Sequence, residues 1–174
     1  MNPDTVVVVH CYDGDKTQVE QFLPWYLHHE SPVLVLSPED APVTIDYPGV
    51  QNKSAGKKGW KGRQTIWRQR DHWKLALEVP GSWYFLNDAD SLCLTPELPA
   101  YLYSDPWRLW NNVLCHADVH RPEDNPNLNP PYFMHRAVLE ALVTEADRLE
   151  ALGEMDMGYA PHEPEQAIDG FLSY

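Results

Sequence analysis

The sequence predicts an α/β fold, in which a mixed, mainly parallel sheet is flanked by helices within a single domain of residues 1–174. Residues 5–12 are a continuous valine-rich run, which is typical of a strand buried on both faces. Residues 16–29 carry apolar side chains at helical spacing, with Pro24 as a kink or a break, and residues 33–37 are again apolar. This strand, helix, strand order is the unit from which α/β sheets are built.

The middle of the chain continues this alternation. Residues 43–47 predict a short third strand, residues 51–62 a polar loop, and residues 63–78 a helix with Trp73 on its buried stripe. Arg70 lies on the same stripe, so its guanidinium is either paired within the protein or directed at a ligand.

Two further elements are predicted in the second half of the chain. Pro80 and Gly81 break the chain before an apolar strand at residues 83–87. A helix over residues 136–152 follows the proline-rich loop at residues 121–131. A loop of this length in a small domain is more often functional than idle.

The charge of the protein excludes some classes of function. The net charge of −13 argues against a general nucleic-acid surface, because phosphate binding needs a positive field. Eight of the 13 lysines and arginines nevertheless fall between Lys53 and Lys74. This basic segment is either a solvated helix face or a site for a diphosphate or another polyanion.

The cysteines and the hydropathy pattern indicate where the protein resides. Cys11, Cys93 and Cys115 are odd in number and far apart, which argues against a disulfide framework and a zinc knuckle. No apolar run approaches the roughly 20 residues that a membrane span requires, and Met1 is not followed by a basic, apolar leader. We therefore expect a cytoplasmic protein without a membrane span.

Two carboxylates follow the apolar strand of residues 83–87. Asp88 and Asp90 are spaced i, i+2 at the end of a rigid strand, where they can be presented at a cleft. Divalent cations such as Mn²⁺ and Mg²⁺ prefer hard oxygen ligands, so the pair is a candidate metal site. The alternative is an ordinary turn, which strand-end aspartates often cap.

The order of these elements resembles the small GT-A nucleotide-sugar glycosyltransferases. The resemblance rests mainly on residues 63–94, and above all on Trp-Tyr-Phe-Leu-Asn-Asp-Ala-Asp-Ser-Leu at residues 83–92. Residues 129–142, in which Pro-Pro-Tyr-Phe-Met precedes a helix, are similar to the acceptor-side segment of that family. The resemblance implies a GT-A-like fold and a sugar donor linked to uridine or guanosine diphosphate.

The resemblance also implies roles for individual residues. Asp90 would hold the cation, with Asp88 directed at the ribose or at the same metal, and the cation would neutralise charge on the diphosphate leaving group. Side chains at the end of the first strand and before the basic helix would bind the nucleotide: His10, Tyr12, Asp13, Lys61 and Arg63. For each of these five, a surface turn residue is the alternative.

An inverting enzyme needs a carboxylate base beside the acceptor hydroxyl, and the resemblance implies that it comes late in the chain. Glu163, Glu165 and Asp169 are the candidates, of which Glu165 is favoured. The alternative role for Glu165 is an acid stabilised at a helix N-terminus. Many members of the family add a late histidine to the metal, but here no histidine follows His162, so the metal would have fewer protein ligands.

Other interpretations remain open. Asp13, Asp15 and Thr17 match the Asp-x-Asp-x-Thr pattern of haloacid-dehalogenase-like phosphatases, in which the first aspartate is the nucleophile. Against this, residues 16–29 look helical where that family has a flap hairpin. A module that binds a sugar nucleotide without turnover is a further alternative, and the histidines and aspartate of residues 116–120 could hold a transition metal if they share a strand face.

Overall fold

The computed structural model describes residues 4–28, 31–57, 64–89 and 132–152. These residues form a mixed sheet of five strands in the spatial order β3-β2-β1-β4-β5. The strands β1 to β4 run parallel, and β5 pairs antiparallel with β4. Their bounds are Thr5–His10 for β1, Val33–Ser37 for β2, Val50–Ser54 for β3, Trp83–Asp88 for β4 and Tyr132–His135 for β5. The predicted mixed, mainly parallel sheet is confirmed, and in it β1 lies between β2 and β4.

Helix α1, Lys16–His28, covers one face of the sheet. Its Leu23 and Tyr26 pack with Val7 and Val9, which point to that face because side chains alternate along a strand. Pro24 lies inside this helix and does not end it. Pro24 is exposed on the outer side of α1, away from the packed stripe.

Helices α2, Gln64–Leu77, and α3, Arg136–Ala151, cover the opposite face. Trp73 of α2 and Leu139 of α3 pack with Val8 and Tyr84 of the sheet. All six residues of β1 are buried, because helices cover the sheet on both sides. The valine-rich composition of this strand follows from that burial.

The third strand lies later in the chain than the sequence predicts. The segment of residues 43–47 forms no strand, although Val43 and Ile45 are buried, and its backbone bonds to a side chain. The Asn52 Oδ1 atom accepts from the Ile45 amide at 2.9 Å, and Asn52 Nδ2 donates to the Ile45 carbonyl at 3.0 Å. The strand is instead Val50–Ser54, most of which was predicted as loop because its sequence is polar. A polar sequence can form this strand because β3 lies at the edge of the sheet, where exposed side chains are tolerated.

Arg70 resolves the alternatives that the sequence left open. It is 7% exposed, and it donates to Asp71 of its own helix and to Glu150 of α3. Its Nη1 atom also lies 3.4 Å from a carboxylate oxygen of Asp147. Arg70 is therefore the paired arginine of the two possibilities, and it joins α2 to α3.

Within the described residues, no helix combines the length and the apolar composition that crossing a bilayer requires.

Candidate functional site

The ends of β1 and β4 meet at one edge of the sheet, which we call the carboxyl edge. The two strands are parallel and in register, with His10 opposite Asp88. Beyond His10, the chain passes through Tyr12 into a 3-10 turn at Asp13–Asp15. This places the backbone of Asp13 and the Asp88 position on the same edge. Carboxyl edges of parallel strands are where α/β proteins most often bind ligands.

A hydrogen-bonded turn fixes Tyr12 at this edge. The Tyr12 amide donates to Asp15 Oδ2 at 3.0 Å, and the Asp15 amide donates to the Tyr12 carbonyl at 2.9 Å. The carboxylate of Asp15 therefore serves as a capping group for the turn that leads into α1. Helix α1 begins immediately afterwards at Lys16. A helix thus follows Asp13 where the phosphatase family has a flap hairpin, which removes one requirement of the phosphatase interpretation.

Arg68 of α2 reaches Tyr12 from above the edge. Its guanidinium carbon lies 5.4 Å from the centre of the Tyr12 ring, within the range of a cation–π interaction. Arg68 Nη1 also donates to the carbonyl of Lys57 at 3.5 Å. The loop beside it depends on Gly56, which has φ +66°, and a Cβ there would lie 2.8 Å from Arg68 Cγ. The glycine thus lets the backbone approach the stem of Arg68 closely.

The charged groups around Tyr12 act on its phenol. Burial raises the pKa of Tyr12, Arg68 opposes this increase, and the carboxylates of Asp88 and Asp15 add to it. All four groups are therefore within electrostatic range of one another at the carboxyl edge. A phenol with a raised pKa stays neutral near pH 7 and presents an uncharged ring and a hydrogen-bonding group.

His10 lies beneath this edge and is 5% exposed. Its Nδ1 atom is 2.9 Å from Nδ1 of His72, and its Nε2 atom is 3.2 Å from the amide nitrogen of Gln69. His72 in turn contacts the carbonyl of Ala55 through Nε2 at 3.0 Å. The two imidazole planes lie 12° from parallel with centroids 5.0 Å apart, so the rings meet edge to edge through their Nδ1 atoms. Both ring nitrogens of His10 are thus engaged within the protein, and its direct contact with a nucleotide stays a prediction.

Burial keeps both imidazoles neutral. It lowers the pKa of His10 well below its ordinary value, and the His72 and Arg68 charges lower it further. Burial also lowers the pKa of His72 to about 4, against a smaller opposing effect of the hydrogen bond to Ala55. Burial is the larger cause for both rings, and the guanidinium of Arg68 makes a second positive charge beside it still less favourable.

Several predicted site residues lie outside the described residues, and their roles stay predictions. These are Lys61, Arg63, Asp90, Glu163, Glu165 and Asp169, together with the segment of residues 116–120. Of Asp13, the backbone is described and the side chain is not. Among the residues that are described, no group of three or more histidine, cysteine, aspartate or glutamate side chains could hold a metal ion.

Sequence reasoning missed the part of the site that α2 supplies. Arg68, Gln69 and His72 lie within the basic helix, in which only Arg70 was predicted as a possible ligand contact, together with residues before the helix. Arg68 and His72 are spaced i, i+4, so they lie on one helical face, and that spacing is the signal that was available. The partner of His72, the imidazole of His10, is 62 residues away in sequence and could not be inferred from spacing.

Comparison with known structures supports the architecture. The crystal structure of the apo form of the glycosyltransferase GlyE from Streptococcus pneumoniae TIGR4 matches this chain with a TM-score of 0.56 and 15% sequence identity. The match covers 97% of this chain and 43% of GlyE, so the chain spans less than half of that protein's length. Neither protein-family models nor curated protein sequences match the chain. The single α/β domain predicted from sequence is therefore confirmed as a glycosyltransferase-like fold.

Proposed function

We propose that this protein is a metal-dependent glycosyltransferase, which moves a sugar from a nucleotide-diphosphate donor to an acceptor. The observation that carries the proposal is the convergence of Tyr12, Arg68 and Asp88 at the carboxyl edge of a glycosyltransferase-like sheet. An aromatic ring, a guanidinium and a carboxylate are the groups that a nucleobase, a diphosphate and a divalent cation require.

The donor would lie across the carboxyl edge with its base near Tyr12. The neutral phenol ring can stack on a uracil or a guanine, and the planar guanidinium of Arg68 can bind phosphate oxygens with two parallel hydrogen bonds. His10, Asp13, Lys61 and Arg63 are the further nucleotide contacts that the resemblance implies. The likeness to GlyE supports a sugar-nucleotide donor in general, and the identity of the base and the sugar are parts of the proposal.

The cation site would be formed by Asp88 and Asp90. Two carboxylates fit the hard oxygen preference of Mn²⁺ or Mg²⁺, and Asp88 lies at the strand end beside Tyr12 and Arg68. A cation bound there would supply positive charge for the departing diphosphate. We assign the acceptor base to Glu165, with Asp169 as the alternative, because a carboxylate must remove the proton of the attacking hydroxyl in an inverting transfer.

A thermal-shift experiment tests the donor proposal. We expect uridine diphosphate or guanosine diphosphate to raise the melting temperature, and Mn²⁺ to increase that effect, because a ligand of the folded state stabilises it. The measurement is the melting temperature with each nucleotide, with Mn²⁺, with both, and with nucleotide plus chelator. Nucleotide binding that is equally strong in chelator would exclude the metal bridge.

Two substitutions separate the glycosyltransferase from the phosphatase. Asp90→Asn should abolish metal-dependent nucleotide binding, because an amide is similar in size but a poorer ligand for a hard cation, while Asp13→Asn should be milder. In a phosphatase the order is reversed, since Asp13 would be the covalent nucleophile. Both variants are assayed for nucleotide binding and for hydrolysis of a generic phosphate ester. Wild-type phosphatase activity that is lost in Asp13→Asn would overturn the proposal.

The same preparations test whether the protein turns over its donor. Glycosyltransferases hydrolyse their sugar nucleotides slowly when no acceptor is present, because water takes the place of the acceptor hydroxyl. Release of nucleoside diphosphate from uridine- and guanosine-linked sugars is therefore expected. Tight nucleotide binding without any release, in the presence of Mn²⁺, would favour the binding module that lacks turnover.

A further inference from the structure

A chain of neutral hydrogen-bonding groups lies below the carboxyl edge, and apart from the nucleotide contact that the resemblance implies for His10, the proposed donor site does not use it. It runs from the Gln69 amide to His10, from His10 to His72, and from His72 to the carbonyl of Ala55. The three donor–acceptor distances are 3.2, 2.9 and 3.0 Å. His10 and His72 are 5% and 2% exposed, so the two rings are shielded from solvent, while Gln69 is half-buried. A buried polar chain of this kind is stable only when every member is satisfied.

The Ala55 carbonyl determines where each proton of the chain lies. A carbonyl can only accept, so Nε2 of His72 carries a hydrogen and donates it to Ala55. In the neutral ring, Nδ1 of His72 is then an acceptor, and Nδ1 of His10 must be the donor to it. The Nε2 atom of His10 is left as an acceptor for the amide N–H of Gln69. Only this pair of tautomers satisfies all three contacts with both rings neutral.

The chain connects three parts of the protein that meet at Arg68. His10 ends β1, Gln69 and His72 belong to the α2 face that carries Arg68, and Ala55 follows β3. The Ala55 amide donates to the Ser37 carbonyl at 3.0 Å, which ties this loop to β2 as well.

The residues directly after Ala55 contact Arg68. Gly56 packs against the stem of Arg68, and the Lys57 carbonyl accepts from its guanidinium. The hydrogen bond from His72 to Ala55 therefore lies next to the contacts that orient the guanidinium over Tyr12.

We infer that His72 is a positioning residue, which holds Arg68 over the Tyr12 ring by joining α2 to His10 on one side and to the Ala55 loop on the other. Its role in donor binding rests on the proposed function, because Arg68 is there the group that contacts the diphosphate. The placement of Arg68 over Tyr12 does not depend on that function. The burial of both rings agrees with this role, since protonation of either histidine would leave two donors facing each other.

The placement of the protons is tested on the wild-type protein by ¹⁵N nuclear magnetic resonance of its histidine rings. At pH 7 we expect His72 to carry its hydrogen on Nε2 and His10 to carry its hydrogen on Nδ1. This measurement needs no ligand and no variant. A protonated ring, or His72 with its hydrogen on Nδ1, would overturn the inference.

The effect on Arg68 is tested by the ring current of Tyr12. The side-chain protons of Arg68 should be shifted upfield in the wild type, and Tyr12→Leu should remove that shift and so assign it. His72→Phe, which keeps a ring but no hydrogen bonds, should also remove it. Val143→Ala, a buried change in α3 that lowers stability away from the site, should leave it intact. A full upfield shift in folded His72→Phe would contradict the inference.

Nucleotide affinity then tests the link to the donor site. We expect His72→Phe to bind uridine or guanosine diphosphate with Mn²⁺ about tenfold more weakly, with wild-type affinity in Val143→Ala. His72→Gln places an amide donor near the position of Nε2 and should bind more tightly than His72→Phe; equal weakness of the two would refute the role of the hydrogen bond to Ala55. If the wild type binds neither nucleotide, the proposed function fails, while the two resonance experiments still decide whether His72 positions Arg68.

Discussion

Helix α2 carries two arginines, Arg68 and Arg70, which lie on different faces and are held in different ways. Arg70 is buried between α2 and α3, where carboxylates of Asp71, Asp147 and Glu150 surround its guanidinium. Arg68 faces the carboxyl edge, where it contacts the Tyr12 ring and a backbone carbonyl. The described contacts of Arg70 are with carboxylates, and those of Arg68 are with a ring and a backbone carbonyl.

The difference follows from what each face has to do. Opposite charges hold a buried guanidinium firmly and cancel its field, which suits a contact between two helices. An aromatic ring and a backbone carbonyl orient a guanidinium at the carboxyl edge, where its planar fork can bind the oxygens of an anion. The neutral imidazoles of His10 and His72 below Arg68 extend the same pattern. We therefore expect the two faces to respond differently to pH and to substitution.

Acid should act mainly on the face that bears the histidines, and this is the largest effect that we expect. The pKa of His72 is about 4 in the folded protein and 6.5 ordinarily. Below pH 6.5 the unfolded chain therefore binds a proton at His72 that the folded protein does not bind. The stabilising contribution is complete above pH 6.5 and is lost as the pH falls towards 4. From His72 alone the loss is roughly 3 kcal/mol of the free energy of unfolding, and His10 acts in the same direction.

Urea unfolding of the wild type and of His72→Gln between pH 7.5 and 4 measures this effect as the free energy of unfolding at each pH. His72→Gln has no titrating ring, so its free energy of unfolding should fall less steeply with acid than that of the wild type. The difference between the two curves isolates the histidine from the carboxylates, which titrate in both proteins. Parallel curves from pH 6.5 to 4 would show that His72 is not the buried neutral ring described here.

Loss of Arg70 should destabilise the protein without affecting ligand binding. Arg70→Met keeps much of the apolar stem but leaves three carboxylates near each other without their guanidinium, which we expect to cost about 2 kcal/mol of the free energy of unfolding. Lys74→Met is the matched control, because its ion pair with Asp147 is exposed and should contribute less than about 0.5 kcal/mol. Urea unfolding at pH 7 measures both; equal losses would mean that the burial of Arg70 adds nothing.

The fold could be predicted from the sequence because apolar runs and helical spacing are local. The strand Val33–Ser37 coincides with its prediction, and β1 and β4 lie side by side as expected. Strand β3 was missed because a polar edge strand such as Val50–Ser54 lacks an apolar pattern. The segment that was predicted as a strand, residues 43–47, buries Val43 and Ile45 but bonds through the Ile45 backbone to the Asn52 side chain and forms no strand.

The candidate site could be predicted only in part. Tyr12 and Asp88 were accessible because each follows a recognisable strand, and parallel strands in register bring their ends together. The α2 contribution was not accessible, since which face of α2 meets the carboxyl edge depends on tertiary packing. The choice between the roles of Arg70 likewise depended on Glu150, which lies 80 residues away in sequence on α3.

Substitution of Arg68 should have the smallest effect on stability and a selective effect on binding, which completes the contrast with Arg70. Arg68→Met removes a half-buried cation–π contact, and we expect it to change the free energy of unfolding by about 0.5 kcal/mol. Removing a guanidinium that binds phosphate oxygens should weaken uridine or guanosine diphosphate binding about tenfold. Arg68→Lys retains the charge but not the planar fork, so its affinity should lie between those of the wild type and Arg68→Met. Isothermal titration with nucleotide and Mn²⁺ measures the affinities of the wild type, Arg68→Met and Arg68→Lys. Arg70→Met is the control, which should lose stability and keep its affinity. If Arg68→Met binds nucleotide as the wild type does, or if Arg70→Met loses as much affinity, then the face of α2 at the carboxyl edge is not the one that recognises the diphosphate.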